Sequence, residues 1–338
     1  MQVDVKRAAM PPAPILEARE LVLVSRETGA RLVNGVNLAL HPGEILALVG
    51  ESGSGKSLTA LALLGLLPPG VEQAGGAVLF EGTNIGGRVG DSLRGKVVSA
   101  IFQDPQASLD PRWTIGRYLV DRFMRLKAMS ARQAQTAAAD MLAQVGLANP
   151  ARIMKAYPHE LSGGMAQRAM IAGALAGEPR VLIADEPTTA LDVTTQAQIL
   201  DLLEDIQTRT GLAVLMITHD LGVVAEIAHR MLVLYGGAMM EEGATEVVLA
   251  APSHPYTRAL LASMPDLDSD IAPDPIPAAP PGGFGRGCPF APRCLSALPA
   301  CSDAKPVITR LANGQASACH LNQNVVPGVA REMLDVAG

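Results

Sequence analysis

The first 287 residues of this 338-residue chain contain no cysteine; all four lie from Cys288 onward. The main body therefore has no disulfide framework and no cysteine metal site, and any thiol chemistry belongs to an appendage. No run approaches the roughly 18 consecutive apolar residues needed to cross a bilayer. The stretch through Glu20 mixes charges with prolines and has no apolar core of signal-peptide length. The expectation is a cytosolic chain, or one attached to a membrane only through partners. Positive charge is also short: 27 Lys and Arg against 33 Asp and Glu give a net charge of -6 and a pI of about 5.6. The basic stripe that phosphate-backbone binding needs is missing, so a nucleic-acid partner is disfavoured. There is no repeat of solenoid period. What remains is 49% hydrophobic residues, ample for a core, in a length that exceeds one average domain. One large domain with a smaller appendage is expected.

The chain is organised around Gly50-Glu51-Ser52-Gly53-Ser54-Gly55-Lys56-Ser57, which follows the apolar run Ile45 to Val49 and opens the apolar run Leu58 to Leu67. Strand, glycine loop and helix come in the order a phosphate cradle needs. The glycines let successive N–H groups turn inward, and the helix N-terminus adds partial positive charge. Lys56 supplies a full charge, and the Ser57 hydroxyl is placed to ligate a Mg²⁺ bridging the phosphates. The loop through Leu58 is thus the expected ATP site.

Around it, Leu16 to Val24 and Leu32 to Leu40 read as strands, as do Ala77 to Phe80 and Val97 to Phe102. The last places Gln103 at a sheet's carboxyl edge, where open α/β sheets bind ligands. From Trp113 to about Ala156 the period becomes helical and implies an all-α insertion. Leu161-Ser162-Gly163-Gly164-Met165-Ala166-Gln167 follows, with Ser162 as the N-cap of a helix to about Ala176. Two glycines in a first turn cost roughly 1 kcal/mol each against alanine. A small-residue helix mouth is a second phosphate receptor, over a hundred residues beyond the first. Val181 to Ala184 is a buried-type strand ending in Asp185-Glu186, which read as a Mg²⁺ ligand and a water-activating base. Asp192 leads into a helix from about Thr194 to Arg209, and the strand Ala213 to Ile217 delivers His219 to the same edge as a γ-phosphate contact. Pro265 to Gly287 holds six prolines and reads as a linker. Cys288, Cys294, Cys301 and Cys319 follow, separated by five, six and seventeen intervening residues, without the C-x₂-C pairs common in zinc sites. Four ordinary thiols, a zinc site and an iron–sulfur cluster are all open on these residues alone.

Gly50 to Ser57, Gln103, Leu161 to Gln167, Asp185-Glu186, Asp192 and His219, in this order, resemble the nucleotide-binding subunit of an ABC transporter over roughly residues 15 to 250. Phe102 to Pro111, His254 to Leu261 and Cys288 to Cys294 look in combination like the dipeptide/oligopeptide branch of bacterial importers. The resemblance implies an α/β fold: a P-loop ABC ATPase with a RecA-like core, an antiparallel β subdomain and a helical insertion (about 113–176), plus a small cysteine-containing extension. Its divisions would be a tail at 1–14, the nucleotide-binding domain at 15–250 and the extension at 251–338. It implies that Ser57, Gln103 and Asp185 attend Mg²⁺, that Glu186 is the catalytic base and that His219 is the γ-phosphate switch. Ser162, Gly163 and Gly164 would contact ATP bound to an opposite subunit, with Asp192 at the dimer seam. The implied partners are a second, related ATPase subunit, two transmembrane permeases and an extracytoplasmic solute-binding protein, on the cytoplasmic side of an inner membrane. The branch can also carry a [4Fe-4S] cluster on a similar cysteine segment, so the resemblance puts that cluster first at the four cysteines and zinc second. One departure is plain: the first-strand region where the family stacks adenine reads Val24-Ser25-Arg26 and has no aromatic residue, leaving Arg26 or Arg31 as a platform. Two rival readings stand beside transport: a soluble ABC-type ATPase of DNA repair or translation, and a redox-responsive ATPase governed by its cysteine tail.

Overall fold

The computed structural model describes residues 13–85, 93–189, 191–263 and 286–323. Most of the proline-rich linker from Pro265 to Gly287 and most of the N-terminal tail lie outside these residues.

Five strands whose side chains are almost all apolar form the floor of the molecule. Ile45–Val49 and Ala213–Thr218 are buried at every position, as expected for parallel strands covered on both faces. They pair in parallel with each other and with Arg230–Tyr235, Val181–Asp185 and Val98–Ile101. Three antiparallel strands, Ala238–Ala244, Ala316–Ser317 and Thr309–Arg310, complete an eight-stranded sheet. The last two strands come from the cysteine-bearing segment, so that segment extends the main sheet.

Alternation along the pleat assigns each face its cover. Leu46 and Leu48 point toward the helix Lys56–Leu63 and a four-stranded antiparallel sheet ordered Arg31–Leu40, Leu16–Ser25, Val71–Phe80, Thr83–Asn84. Ile45 points toward the helical insertion, while Ala47 and Val49 meet Leu221, Val224, Tyr256 and Phe290. The insertion is built on good caps. Ser130 and Gln133 form a capping box at the start of Ala131–Gln144, and Thr114 accepts from the Arg117 amide ahead of Ile115–Lys127.

Register places the functional edge. Val49 lies opposite Thr218, Asp185 opposite Ile217 and Ile101 opposite Ala184. The residues that leave these strands, Gly50, His219, Glu186 and Gln103, therefore emerge on one rim, at the carboxyl ends where such sheets hold ligands. Among the described residues no helix is long and apolar enough to cross a membrane.

Candidate functional site

The loop from Gly50 to Ser57 needs glycine for steric reasons that are local. At Gly50 (φ 151°) a Cβ would lie 2.1 Å from the Leu234 carbonyl oxygen. Gly55 (φ 97°) is the left-handed N-cap of the helix Lys56–Leu63, a backbone that side-chain-bearing residues rarely adopt. The curled loop brings the Lys56 ammonium to the carbonyl oxygens of Gly50 and Glu51, at 2.7 and 2.9 Å. Burial lowers the Lys56 pKa, an effect opposed by the nearby Glu186, Asp185 and Glu51 carboxylates. Ser52, Gly53 and Ser57 are exposed on the outer side of the loop, while Leu58 is half-buried and packs on the core beneath.

Ser57 Oγ donates to Asp185 Oδ1 at 3.3 Å. A hydroxyl and a carboxylate at the foot of a phosphate loop are a hard-oxygen donor set of the kind Mg²⁺ takes when phosphates and water supply its other ligands, so these residues fit that ion. Burial raises the Asp185 pKa, and the Ser57 hydrogen bond works against it.

Glu186 is the most constrained group. Its backbone sits at φ 47°, left-handed for a residue with a side chain, a strain that persists only where the surroundings impose it. Its amide donates to the Ile217 carbonyl at 2.9 Å. Gln103 Nε2 and Thr189 Oγ1 both donate to Oε2, at 2.9 and 2.8 Å, and His219 Nδ1 lies 3.0 Å from Oε1. Partial burial raises its pKa, but the Thr189 and His219 hydrogen bonds, with the nearby Lys56 ammonium, more than offset this and leave it lowered. The result is an ionised, oriented carboxylate facing solvent beside an ammonium, which can accept a proton from a water molecule. Gln103, Asp185, Glu186 and His219 thus converge with the P-loop as the sequence order suggests. Thr189, the second clamp on Glu186, was not foreseen; its spacing of three residues after Glu186 is its only signal in the sequence.

Ser162, Gly163, Gly164 and Asp192 form a second cluster. Ser162 caps Gly163–Leu175 by accepting from the Met165 amide at 3.3 Å. Asp192 caps Val193–Thr210 and accepts from both the amide and the hydroxyl of Thr195, at 2.9 and 2.7 Å. The helices meet where Gly164 faces Thr195, so this glycine has a packing requirement as well as an open amide. Behind the cluster, buried Gln167 Nε2 donates to the Pro187 carbonyl at 2.6 Å, joining this helix to the turn that carries Glu186.

The four cysteines correct the expectation of a metal centre. Among the described residues no group of three or more His, Cys, Asp or Glu is placed to hold a metal ion. All four cysteines are free thiols, gathered with His254, Phe290 and His320 around a cavity of about 10 Å³, room for at most one water and far too little for an inorganic cluster. Burial pushes the Cys288 thiol up to about 11 and also raises Cys294 and Cys319. Neither the [4Fe-4S] cluster nor zinc fits.

The comparisons with known proteins agree with the geometry. Residues 33–189 match the family model described as ABC transporter, and residues 240–301 match the one described as oligopeptide/dipeptide transporter, C-terminal region. A probable peptide ABC transporter ATP-binding protein of Sinorhizobium fredii is 45% identical, over 92% of this chain and 96% of its own. A dipeptide transport ATP-binding protein of Bacillus subtilis is also 45% identical, over 86% of this chain and 88% of its own. Among solved structures, a dimeric ATP-binding cassette in a post-hydrolysis state bound to ADP and Pi superposes with a TM-score of 0.59 at 29% identity, over 68% of this chain and 98% of that one.

Proposed function

The chain belongs to the ATP-binding proteins of oligopeptide and dipeptide ABC transporters, and from that premise we propose that it hydrolyses ATP at the Lys56–Glu186 site to drive import of peptides across the inner membrane. The observation that carries the reading is the Glu186 carboxylate, held by Gln103, Thr189 and His219 beside Lys56 and the Ser57–Asp185 pair.

In this reading Lys56 and the amides from Gly50 to Leu58 hold the phosphates. Ser57, Asp185 and Gln103 would hold Mg²⁺, which when bound would neutralise charge on the phosphate oxygens. Glu186 takes one proton from the attacking water, its lowered pKa keeping it ionised at neutral pH. His219 steadies Glu186 and reaches toward the γ-phosphate. Ser162, Gly163, Gly164 and Asp192 serve ATP held by a second, related subunit, which explains why one chain carries two remote phosphate receptors. Two membrane permeases and an extracytoplasmic solute-binding protein complete the assembly, and the chain sits peripherally on the cytoplasmic side. No observation favours the rival reading as a soluble ATPase of DNA repair or translation.

The test is reconstitution with its permeases in liposomes. ATP turnover should rise with peptide-loaded binding protein and accompany peptide uptake, and Lys56→Ala should abolish both. Turnover indifferent to peptide, with no uptake, would overturn the reading.

A further inference from the structure

The segment that follows the nucleotide-binding region lies directly against the phosphate loop. Arg293, between the prolines and Cys294, is buried, and its Nη1 donates to Glu51 Oε2 at 2.8 Å and to the Tyr235 hydroxyl at 3.0 Å. Tyr256, fully buried, accepts at its hydroxyl the backbone N–H of Glu51, at 3.0 Å. Behind these contacts Tyr235, Tyr256 and Phe290 pack ring on ring with centroids 4.7, 5.2 and 5.3 Å apart. The chain has only ten aromatic residues apart from histidine, so three at one point mark a built support.

The contact bears on the chemistry through one peptide unit. Tyr256 binds the N–H of the Gly50–Glu51 peptide, and in a trans peptide the carbonyl points the opposite way. That carbonyl, Gly50 O, is the one that receives the Lys56 ammonium at 2.7 Å. The next carbonyl, Glu51 O, receives the same ammonium at 2.9 Å and the Ser54 amide at 3.1 Å. Tyr256 therefore sets the peptide plane, Arg293 anchors the side chain, and together they determine where Lys56 and the loop amides stand.

We propose that Arg293 and Tyr256 are positioning residues for the phosphate loop, so that the cysteine-bearing extension sets the affinity of this chain for ATP through Glu51. The proposal rests on the ATPase reading above. A pre-organised loop favours nucleotide binding because less ordering remains to be done on association. Hydrolysis by Glu186, on a different strand, is affected far less.

The experiment combines direct binding of a fluorescent ATP analogue to the purified full-length chain and its thermal melting with steady-state ATPase kinetics of the assembled transporter. Tyr256→Phe, which keeps the ring and removes the hydroxyl, should weaken ATP binding and raise KM several-fold, on the order of five- to tenfold, with kcat changed less than about twofold. Arg293→Gln and Glu51→Gln should each do the same, the double variant being no worse than either single because both act through one contact. Arg293→Lys should recover part of the affinity. Melting temperatures lowered with Kd and KM unchanged would reduce the contact to a structural one and overturn the proposal, as would additive effects in the double variant. A wild-type chain that binds no nucleotide would instead overturn the ATPase reading, and this inference with it.

Discussion

Thr195 occupies the space that Gly164 leaves open: a Cβ on Gly164 would come within 2.4 Å of Thr195 Cγ2. The same threonine is tied through its hydroxyl to Asp192, so the close helix contact and the cap are one arrangement. Gly164→Ala should therefore destabilise the protein by about 1–3 kcal/mol through overpacking. Thr195→Ser, which removes the methyl group and keeps the hydroxyl, should restore most of that loss in the same chain. Chemical denaturation of the two single variants and the double variant measures it; no recovery in the double would show that the clash is elsewhere.

The clamp on Glu186 makes a kinetic prediction. Glu186→Gln keeps the shape of the side chain and removes the proton acceptor, so ATP binding should persist while turnover falls by roughly 10² or more. Single-turnover hydrolysis by the assembled complex is the measurement, and near-normal rates would remove Glu186 from the role of base.

The proposal that Ser162, Gly163 and Gly164 serve ATP held by a second subunit predicts complementation between subunits. In mixed complexes carrying Ser162→Arg in this subunit alone, hydrolysis of ATP held by the partner should be impaired while nucleotide binding at this chain's own P-loop is retained. Site-specific labelling with a photoreactive ATP analogue distinguishes the two sites. Loss confined to this chain's own binding would contradict the arrangement.

His254 gives the fold a pH dependence. It is buried and caps Pro255–Ala262 by accepting the Tyr256 amide at Nδ1, and burial lowers its pKa from 6.5 to about 4. Between those values the unfolded chain binds a proton that the folded chain does not. The contribution is fully present above about pH 6.5 and declines as the pH falls, reaching a loss of about 3 kcal/mol near pH 4. His254→Asn retains a capping acceptor without the titration. Its stability, followed by urea unfolding from pH 7 to 4, should fall less steeply than that of the wild type; parallel slopes would assign the acid sensitivity to other groups.

The sequence made the catalytic rim legible because parallel strands covered on both faces must be apolar throughout. A polar residue at the end of such a run, as at Gln103, Asp185 or His219, is then conspicuous. Pairing was less legible. The apolar run Met231–Tyr235 suits a helix or a strand equally well, and only its ladder with Ile45–Val49 decides. The cysteine segment shows the other limit. Four thiols are countable in a sequence, but the 10 Å³ gap between them depends on how Phe290 and His254 fill the space. Likewise Arg293 and Glu51, 242 residues apart, carry no local pattern that announces their meeting.

Val98–Ile101, the strand that feeds Gln103, is the last of the eight-stranded sheet and, among the described residues, forms its ladder only with Val181–Asp185. The strands that deliver Glu186 and His219 are bonded along both sides. Local opening begins where fewest hydrogen bonds must break, so amide exchange should be faster at Ile101 than at Ile217, an order that hydrogen exchange measures directly. Gln103 thus approaches Glu186 from a border of the sheet, and its next residues, Asp104 and the short helix Pro105–Ser108, lead to the helical insertion, where Gln106 Nε2 donates to the Pro158 carbonyl. Any displacement of that border would reach the Glu186 carboxylate first through the Gln103 hydrogen bond, the contact that ties the edge strand to the base.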